Sequence, residues 1–315
     1  MGRISSYAYD GEYLTWTTDG ANAGSVFYRK GKFSITNVCG LLKVNTDDVI
    51  TRYIFHTLQV EAPKYVNKGM GNPKLMSNVM ARIKLAVPPL DVQREIVRIL
   101  DYFTLLTAEL TAELTARKKQ YEFYRDKLLT FGDVRGGATG EVVWKSVGEL
   151  FEIKNGLNKE KDAFGKGQPI INFTDVYNKR WLAKGSFKGL VDVTEEEIKR
   201  YSAKKGDVFF TRTSETKEDI GMSSTLIEDI PNCVFSGFVL RARPITDLLL
   251  PKFCSYYFST NKVRDTIVRY AAFTTRATTT GPKLSKIMVP ILSIEEQQRI
   301  VDILDRFDAL CNSIS

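Results

Sequence analysis

The chain has 315 residues, long enough for two domains that each bury a core, and its 26% charged and 43% hydrophobic content excludes a disordered polymer. With 45 Lys and Arg against 37 Asp and Glu, the net charge of +8 favours a polyanionic partner. Four cysteines (Cys39, Cys233, Cys254, Cys311) make no CxxC pair, which argues against a disulfide framework or a zinc site, and no apolar run approaches a membrane span.

Reduced thiols and the lack of a secretory leader predict a soluble, cytoplasmic chain. The opening MGRISS satisfies the short myristoylation pattern, which chance often meets. Residues 1–86 read as mainly β. YLTWTT, SVFYR and VCGLLKV are short aromatic or β-branched runs, parted by turns at Asp19-Gly20, Ala23-Gly24 and Lys30-Gly31. A helix is predicted over Val49–Val60. Its His56 is the single histidine, with no second histidine or clustered cysteine on which to build catalysis or metal binding.

From Val87 to Phe131 a proline pair is followed by a stretch free of Gly and Pro until its end, with apolar residues at three- and four-residue steps: Ile96, Ile99 or Leu100, Phe103, Leu106, Leu110, Leu114, then Tyr121, Tyr124 and Leu128. The spacing predicts one helix about 60 Å long, whose near-heptad stripe favours a partner helix. Gly132–Gly140, GDVRGGATG, is the expected linker. A second domain over 141–288 then opens with EVVWKSVGELFEIKNG, a strand or short helix, continues through PIINFTDV to a turn at Tyr177–Lys179, and carries strands in KKGDVFFTRT and CVFSGFVLRARP. It also carries a Thr194-capped short helix, a helix over Phe253–Arg269 and a threonine-rich loop, AAFTTRATTTG.

Residues 289–315 repeat the long helix in shorter form. At one constant offset Gln93 matches Gln297, Ile96-Val97 matches Ile300-Val301, Ile99-Leu100-Asp101 matches Ile303-Leu304-Asp305, and Phe103 matches Phe307. Ile96, Leu100, Phe103 and Leu110 are therefore predicted to pair with Ile300, Leu304 and Phe307. Upstream, GNPKL at Gly71–Leu75 answers TGPKL at Thr280–Leu284, and GEYLTWTT from Gly11 answers GDVFFTRT from Gly206. Trp16, Thr17 and Thr18 then stand beside Thr211, Arg212 and Thr213, and Lys74 beside Lys283.

There is no GxxxxGK phosphate loop, no GxGxxG after a strand, and no Asn/Asp-Pro-Pro-aromatic tetrapeptide. Asp207, Glu215 and Lys217 loosely imitate a Mg²⁺-dependent nuclease set, for which a solvated loop is the better account. Basic and aromatic residues interleave, as in Tyr28-Arg29-Lys30 and Lys179-Arg180-Trp181. The DNA-contact candidates are Trp16, Thr17, Thr18, Lys74, Arg212, Thr213, Lys217, Arg276 and Lys283, as positioning or base-edge groups.

Two β-rich units, each followed by PxL and a Gln-containing entry into a heptad helix, resemble the specificity subunit of type I restriction-modification systems. The residues that carry this are VPPLDVQREIVRILDYF, KKQYEFYRDKLLTF and VPILSIEEQQRIVDILDRF. The resemblance implies an α+β fold in which two target recognition domains are separated by long antiparallel coiled-coil helices in a pseudo-twofold repeat. It implies a non-catalytic, sequence-specific binder of double-stranded DNA that directs methyltransferase (modification) and restriction nuclease subunits to a bipartite target. S-adenosylmethionine, ATP and Mg²⁺ are expected on those partner subunits, with no cofactor or metal in this chain.

Two departures stand out. The first copy (1–86) is short by roughly fifty-five residues at its start, and the last helix (289–315) has half the length of its counterpart. The stripe around Tyr121–Leu128 is thus expected to be uncovered and to self-associate. A coiled-coil scaffold that binds only proteins is the remaining alternative.

Overall fold

The computed structural model describes residues 6–69, 71–131 and 142–312, with side chains to 310; the expected linker lies outside the described residues. The chain divides into two compact units, Met1–Glu113 and Leu114–Ser315.

The first unit is a three-stranded antiparallel sheet of β1 (Tyr9–Thr17), β2 (Val26–Phe33) and β3 (Cys39–Leu42), with β1 in the middle. Alternation along β1 turns Leu14 and Trp16 into a core shared with Tyr53, Ile54 and Leu58 of α1 (Thr51–Glu61). A single helical turn, α2 (Ser77–Met80), contributes Met80. The chain then runs extended to α3 (Leu90–Leu129), which starts directly after Pro88-Pro89. Ion pairs one turn apart, Asp91 with Arg94 and Glu95 with Arg98, both at 2.6 Å, support its first turns.

The second unit begins with β4 (Val143–Ser146), α4 (Val147–Leu150) and β5 (Phe151–Asn155). There follow β6 (Phe164–Ile171), α5 (Phe173–Asn178), β7 (Trp181–Leu182), β8 (Leu190–Val191) and α6 (Glu195–Arg200). Next come β9 (Val208–Thr211), β10 (Thr213–Ser214), β11 (Ser223–Leu226), β12 (Val234–Phe235) and β13 (Val239–Pro244). Helices α7 (Pro251–Phe258) and α8 (Asn261–Tyr270) lead to β14 (Ala272–Phe273) and β15 (Ala277–Thr278). The unit closes with α9 (Gly281–Leu284), β16 (Met288–Ile291) and α10 (Ile294–Asn312). Its main sheet runs β5-β13-β9-β11-β7, and β16 pairs with β4.

Two expected elements are each split in two. The single strand over CVFSGFVLRARP breaks at Ser236–Phe238, where Gly156 passes so close that a Cβ there would lie 2.1 Å from the Ser236 carbonyl oxygen. The helix expected over Phe253–Arg269 breaks at Ser259-Thr260, whose hydroxyls turn back to the Tyr256 and Tyr257 carbonyls at 2.8 Å.

The two units reuse one frame. Gln93 is fully buried: its Oε1 accepts from the Ile50 amide at 2.9 Å, and its Nε2 donates to the carbonyls of Asp48 and Pro88 at 2.9 and 2.8 Å. Gln297, equally buried, accepts from the Leu250 amide at 2.9 Å and donates to the carbonyls of Leu248 and Leu292 at 2.7 and 3.0 Å. One turn or two further along, Asp101 accepts from Arg52 (2.9 Å) and contacts His56 Nε2 (2.7 Å), while Asp305 accepts from Lys252 and Tyr256, both at 2.6 Å.

Backbone bonds extend the match and correct the sequence register. The Thr18 amide donates to Val38 and its carbonyl accepts from Leu75, as Arg212 does with Phe238 and Thr279. Thr18, and not Thr17, is therefore the counterpart of Arg212. The turn Ser77–Met80 answers Gly281–Leu284, with the Ala81 amide bonded to Ser77 and the Ser285 amide to Gly281. Lys283 thus matches Val79, and the PKL of Gly71–Leu75 is a coincidental likeness.

The helix-pairing expectation also changes. Ile96 packs into the first unit's own core, and Leu100, Phe103 and Leu110 are exposed. Ile300 and Leu304 share a core with Tyr121 and Leu129, and Phe307 stacks on Tyr124 at 5.8 Å. The stripe expected to be open at Tyr121–Leu128 is closed in part within the second unit: Tyr121 is 7% exposed beneath Arg180 and Leu128 is half-buried, while Tyr124 and Phe123 stay exposed. Further open apolar residues lie upstream on α3, at Tyr102, Phe103, Leu105 and Leu110.

Gln93→Ala and Gln297→Ala should each remove about 3 kcal/mol from the unit that holds the glutamine, because three bonds go and buried partners are left unpaired; urea unfolding followed by unit-specific hydrogen exchange measures it. Burial pushes the Asp101 carboxyl up, but hydrogen bonds from His56 and Arg52 outweigh it and hold it below the usual range. A depressed carboxyl gives stability that is full above about pH 4 and fades as pH falls through its folded value. Asp101→Asn should accordingly flatten the acid limb of the first unit's stability-pH curve.

Candidate nucleic-acid interface

The second unit holds a cleft beside the end of its main sheet. Strand β9 is wholly buried, and directly after it the chain leaves the main sheet at Arg212 to form β10, which pairs with β15 and through it with β14. Across from this small sheet, α5 starts on a capping box in which the Asn172 amide donates to the Asp175 carboxylate at 2.8 Å. That cap sets Phe173 and Tyr177 one turn apart with stacked rings, 5.7 Å between centroids.

The cleft encloses about 380 Å³ between those rings, Phe238, Arg276 and the segment Thr213–Thr216 with Asp219. Phe238 is 66% exposed, and Arg276 reaches Glu215 at 3.2 Å. Asp219 accepts from the Thr216 hydroxyl at 2.6 Å, and its charge, aided by burial, raises the Tyr177 hydroxyl above its ordinary value. Aromatic faces, one guanidinium and four hydroxyls suit a base, whereas two carboxylates repel phosphate. Carboxylates accept from the amino groups of cytosine, and arginine forks onto guanine, so this mixture matches base edges.

Thr213 and Arg276 are thus brought into one cleft. Arg212 points its Nη1 at the Gly237 carbonyl, 3.5 Å away, while Lys217 is exposed in the loop after β10 and Lys283 is half-buried on α9. Phe173, Tyr177 and Phe238 were not singled out from sequence. The signal for the first two was the Asn-x-x-Asp cap followed by aromatics four residues apart.

In the first unit Trp16 is a core residue, a correction to its place among DNA contacts. It is 4% exposed, its indole N–H donates to the Leu75 carbonyl at 3.0 Å, and its ring fills the space over Gly40. Thr17 and Thr18 are half-buried with their backbones in the sheet, and Lys74 Nζ lies 3.8 Å from Asp19. The outward hairpin of β1 and β2 instead clusters Tyr9, Tyr13 and Phe33 at 5.5–5.8 Å, with Lys43 over Tyr13 and Lys32 over Tyr7. Period-two alternation along the hairpin carried that signal.

The nuclease set does not assemble. Asp207 is fully buried, accepting from Arg243 at 2.8 and 2.7 Å and from the Lys204 amide at 2.7 Å. Glu215, exposed, pairs with Arg276, and no group of metal-ligating side chains occurs among the described residues. Burial pushes the Cys233 and Cys254 thiols up to about 12, so neither supplies a thiolate at neutral pH.

The sequence profile of the type I restriction modification DNA specificity domain matches residues 1–117 and 140–315. A Mycoplasma pneumoniae protein assigned as the N-terminus of a type I specificity subunit is 51% identical over 137 residues, 41% of this chain and 73% of the relative. The specificity subunit of type I restriction enzyme MpnII, from the same organism, is 44% identical over 135 residues, 42% of this chain and 41% of the relative. The chain therefore spans under half of that second relative. A chain from a solved type I R-M system has a TM-score of 0.62 at 16% identity, covering 99% of this chain and 78% of its own. The S subunit crystal structure from M. genitalium gives 0.54 at 13% identity, covering 99% and 80%. At these identities the likeness is one of fold.

Asp207→Ala is expected to cost about 3 kcal/mol by leaving Arg243 without its counter-charge, bonded only to Ser202. Thermal unfolding of wild type and variant with Mg²⁺ or with EDTA should give the same difference, whereas a metal-binding role would make it Mg²⁺-dependent.

Proposed function

Because the chain belongs to the type I restriction-modification DNA specificity family, we propose that it reads double-stranded DNA for such a complex and performs no chemical step itself. The cleft of Phe173, Tyr177, Phe238, Thr213 and Arg276 carries this reading, since it offers base-edge and stacking groups while its carboxylates disfavour phosphate. The excess of basic residues elsewhere, including Arg212, Lys217 and Lys283, would hold the phosphate backbone and make binding salt-dependent. Thr17, Thr18 and Lys74 would act with the aromatic hairpin of the first unit.

Modification and restriction subunits would be recruited to the assembled chain. The methyl donor, ATP and Mg²⁺ would be held by them, consistent with the lack of a phosphate-loop motif in this sequence. The long helix would act as a spacer, turning its length into a fixed gap between two half-sites at about 3.4 Å per base pair.

Methylome mapping with and without this gene tests the proposal: a gapped, bipartite modified motif should vanish on deletion, and an unchanged methylome would refute it. With the modification subunits present, Arg276→Ala should weaken DNA binding by about 1–3 kcal/mol and relax the preference in one half-site only. A uniform loss across all sequences would instead make Arg276 a phosphate contact.

A further inference from the structure

The shared frame shows which edges of the first unit are unpaired among the described residues. In the second unit β5 pairs along the outer edge of β13, and β4 pairs with β16. Between them, the Val147 and Gly148 amides donate to the carbonyls of Ile287 and Ser285 at 2.7 and 3.0 Å. One continuous segment, Val143–Asn155, thus covers three backbone edges. Its Val147 and Leu150 are fully buried, and Phe151 is 3% exposed.

The hydrogen-bond register locates the same edges in the first unit: β3 corresponds to Val239–Ala242, Ile83 to Ile287, and residues 84–87 to Met288–Ile291. Among the described residues no strand pairs with the outer edge of β3 or with 84–87. The side chains follow suit. Val239–Ala242 are all buried whereas Cys39–Leu42 are all half-buried, and Val289 is 1% exposed where its counterpart Leu85 is half-exposed. These are open strand edges lined with apolar side chains, which a pairing segment covers.

We propose that the first unit is a receptor for a strand–turn–strand segment with the pattern of Val142–Gly156, the segment that covers the same edges in the second unit. The second unit, folded around its own copy, displays the bound state. One position refines the occupant. Arg241 holds Glu152 at 3.2 Å in the second unit, but Leu41 stands in its place in the first, so the occupant carries an apolar residue there. The inference rests on the internal repeat and is independent of DNA reading.

The test uses the full chain and a fluorescein-labelled peptide, Val142–Gly156 with Glu152→Leu. Anisotropy should rise saturably with a Kd on the order of 10 µM, and hydrogen exchange should slow at Cys39–Leu42 and Ile83–Val87. A peptide also carrying Val147→Asp and Leu150→Asp should bind at least about tenfold more weakly. Absence of binding, equal binding by the Asp peptide, or protection confined to 239–243 and 288–291 would overturn the proposal. So would concentration-dependent protection of 39–42 and 83–87 without peptide, which would make a second copy the occupant.

Discussion

Each unit is held closed by one buried glutamine amide. Gln93 and Gln297 sit in the first turn of a helix and spend both ends of their side chains on backbone groups of the segment that enters an earlier helix, α1 or α7. No other side chain supplies one acceptor and two donors in a planar group at that reach, and burial without those partners would be costly. A carboxylate would lose the donors and a methionine the acceptor. The tie fixes where each helix begins, and the aspartate two turns on, Asp101 or Asp305, fixes its rotation.

This explains why the repeat could be read from sequence at its helical end and misread upstream. A buried amide with three backbone partners keeps its identity, and the apolar positions around it keep their spacing, so the two helix starts align residue for residue. The strands are matched by backbone hydrogen bonds, which leave no mark on residue type. Trp16 occupies the strand position of Phe210, and Thr18 that of Arg212. Chance PKL triplets then outweighed the true register. The long helix was plain because a proline pair starts it and its interior has no breaker, but its stripe could not show which stretch each unit would cover.

The cleft was half legible. Thr213 and Arg276 stood out as polar and basic groups in turn-rich segments, while the rings facing them come from a short helix whose cap was the sole local clue. Trp16 was the converse case. An aromatic residue beside two threonines resembles a surface reader, yet a glycine on the neighbouring strand leaves room for the indole to lie flat in the core. Composition cannot tell these apart, because the deciding atom is the Cβ that Gly40 does not have.

The middle of α3 has a consequence for the cell. Tyr102, Phe103, Leu105 and Leu110 are each at least 50% exposed on adjoining turns. Left uncovered, that band is the kind of apolar surface that chaperones and proteases act on. The chain's lifetime in a cell would then depend on whether those four side chains are covered.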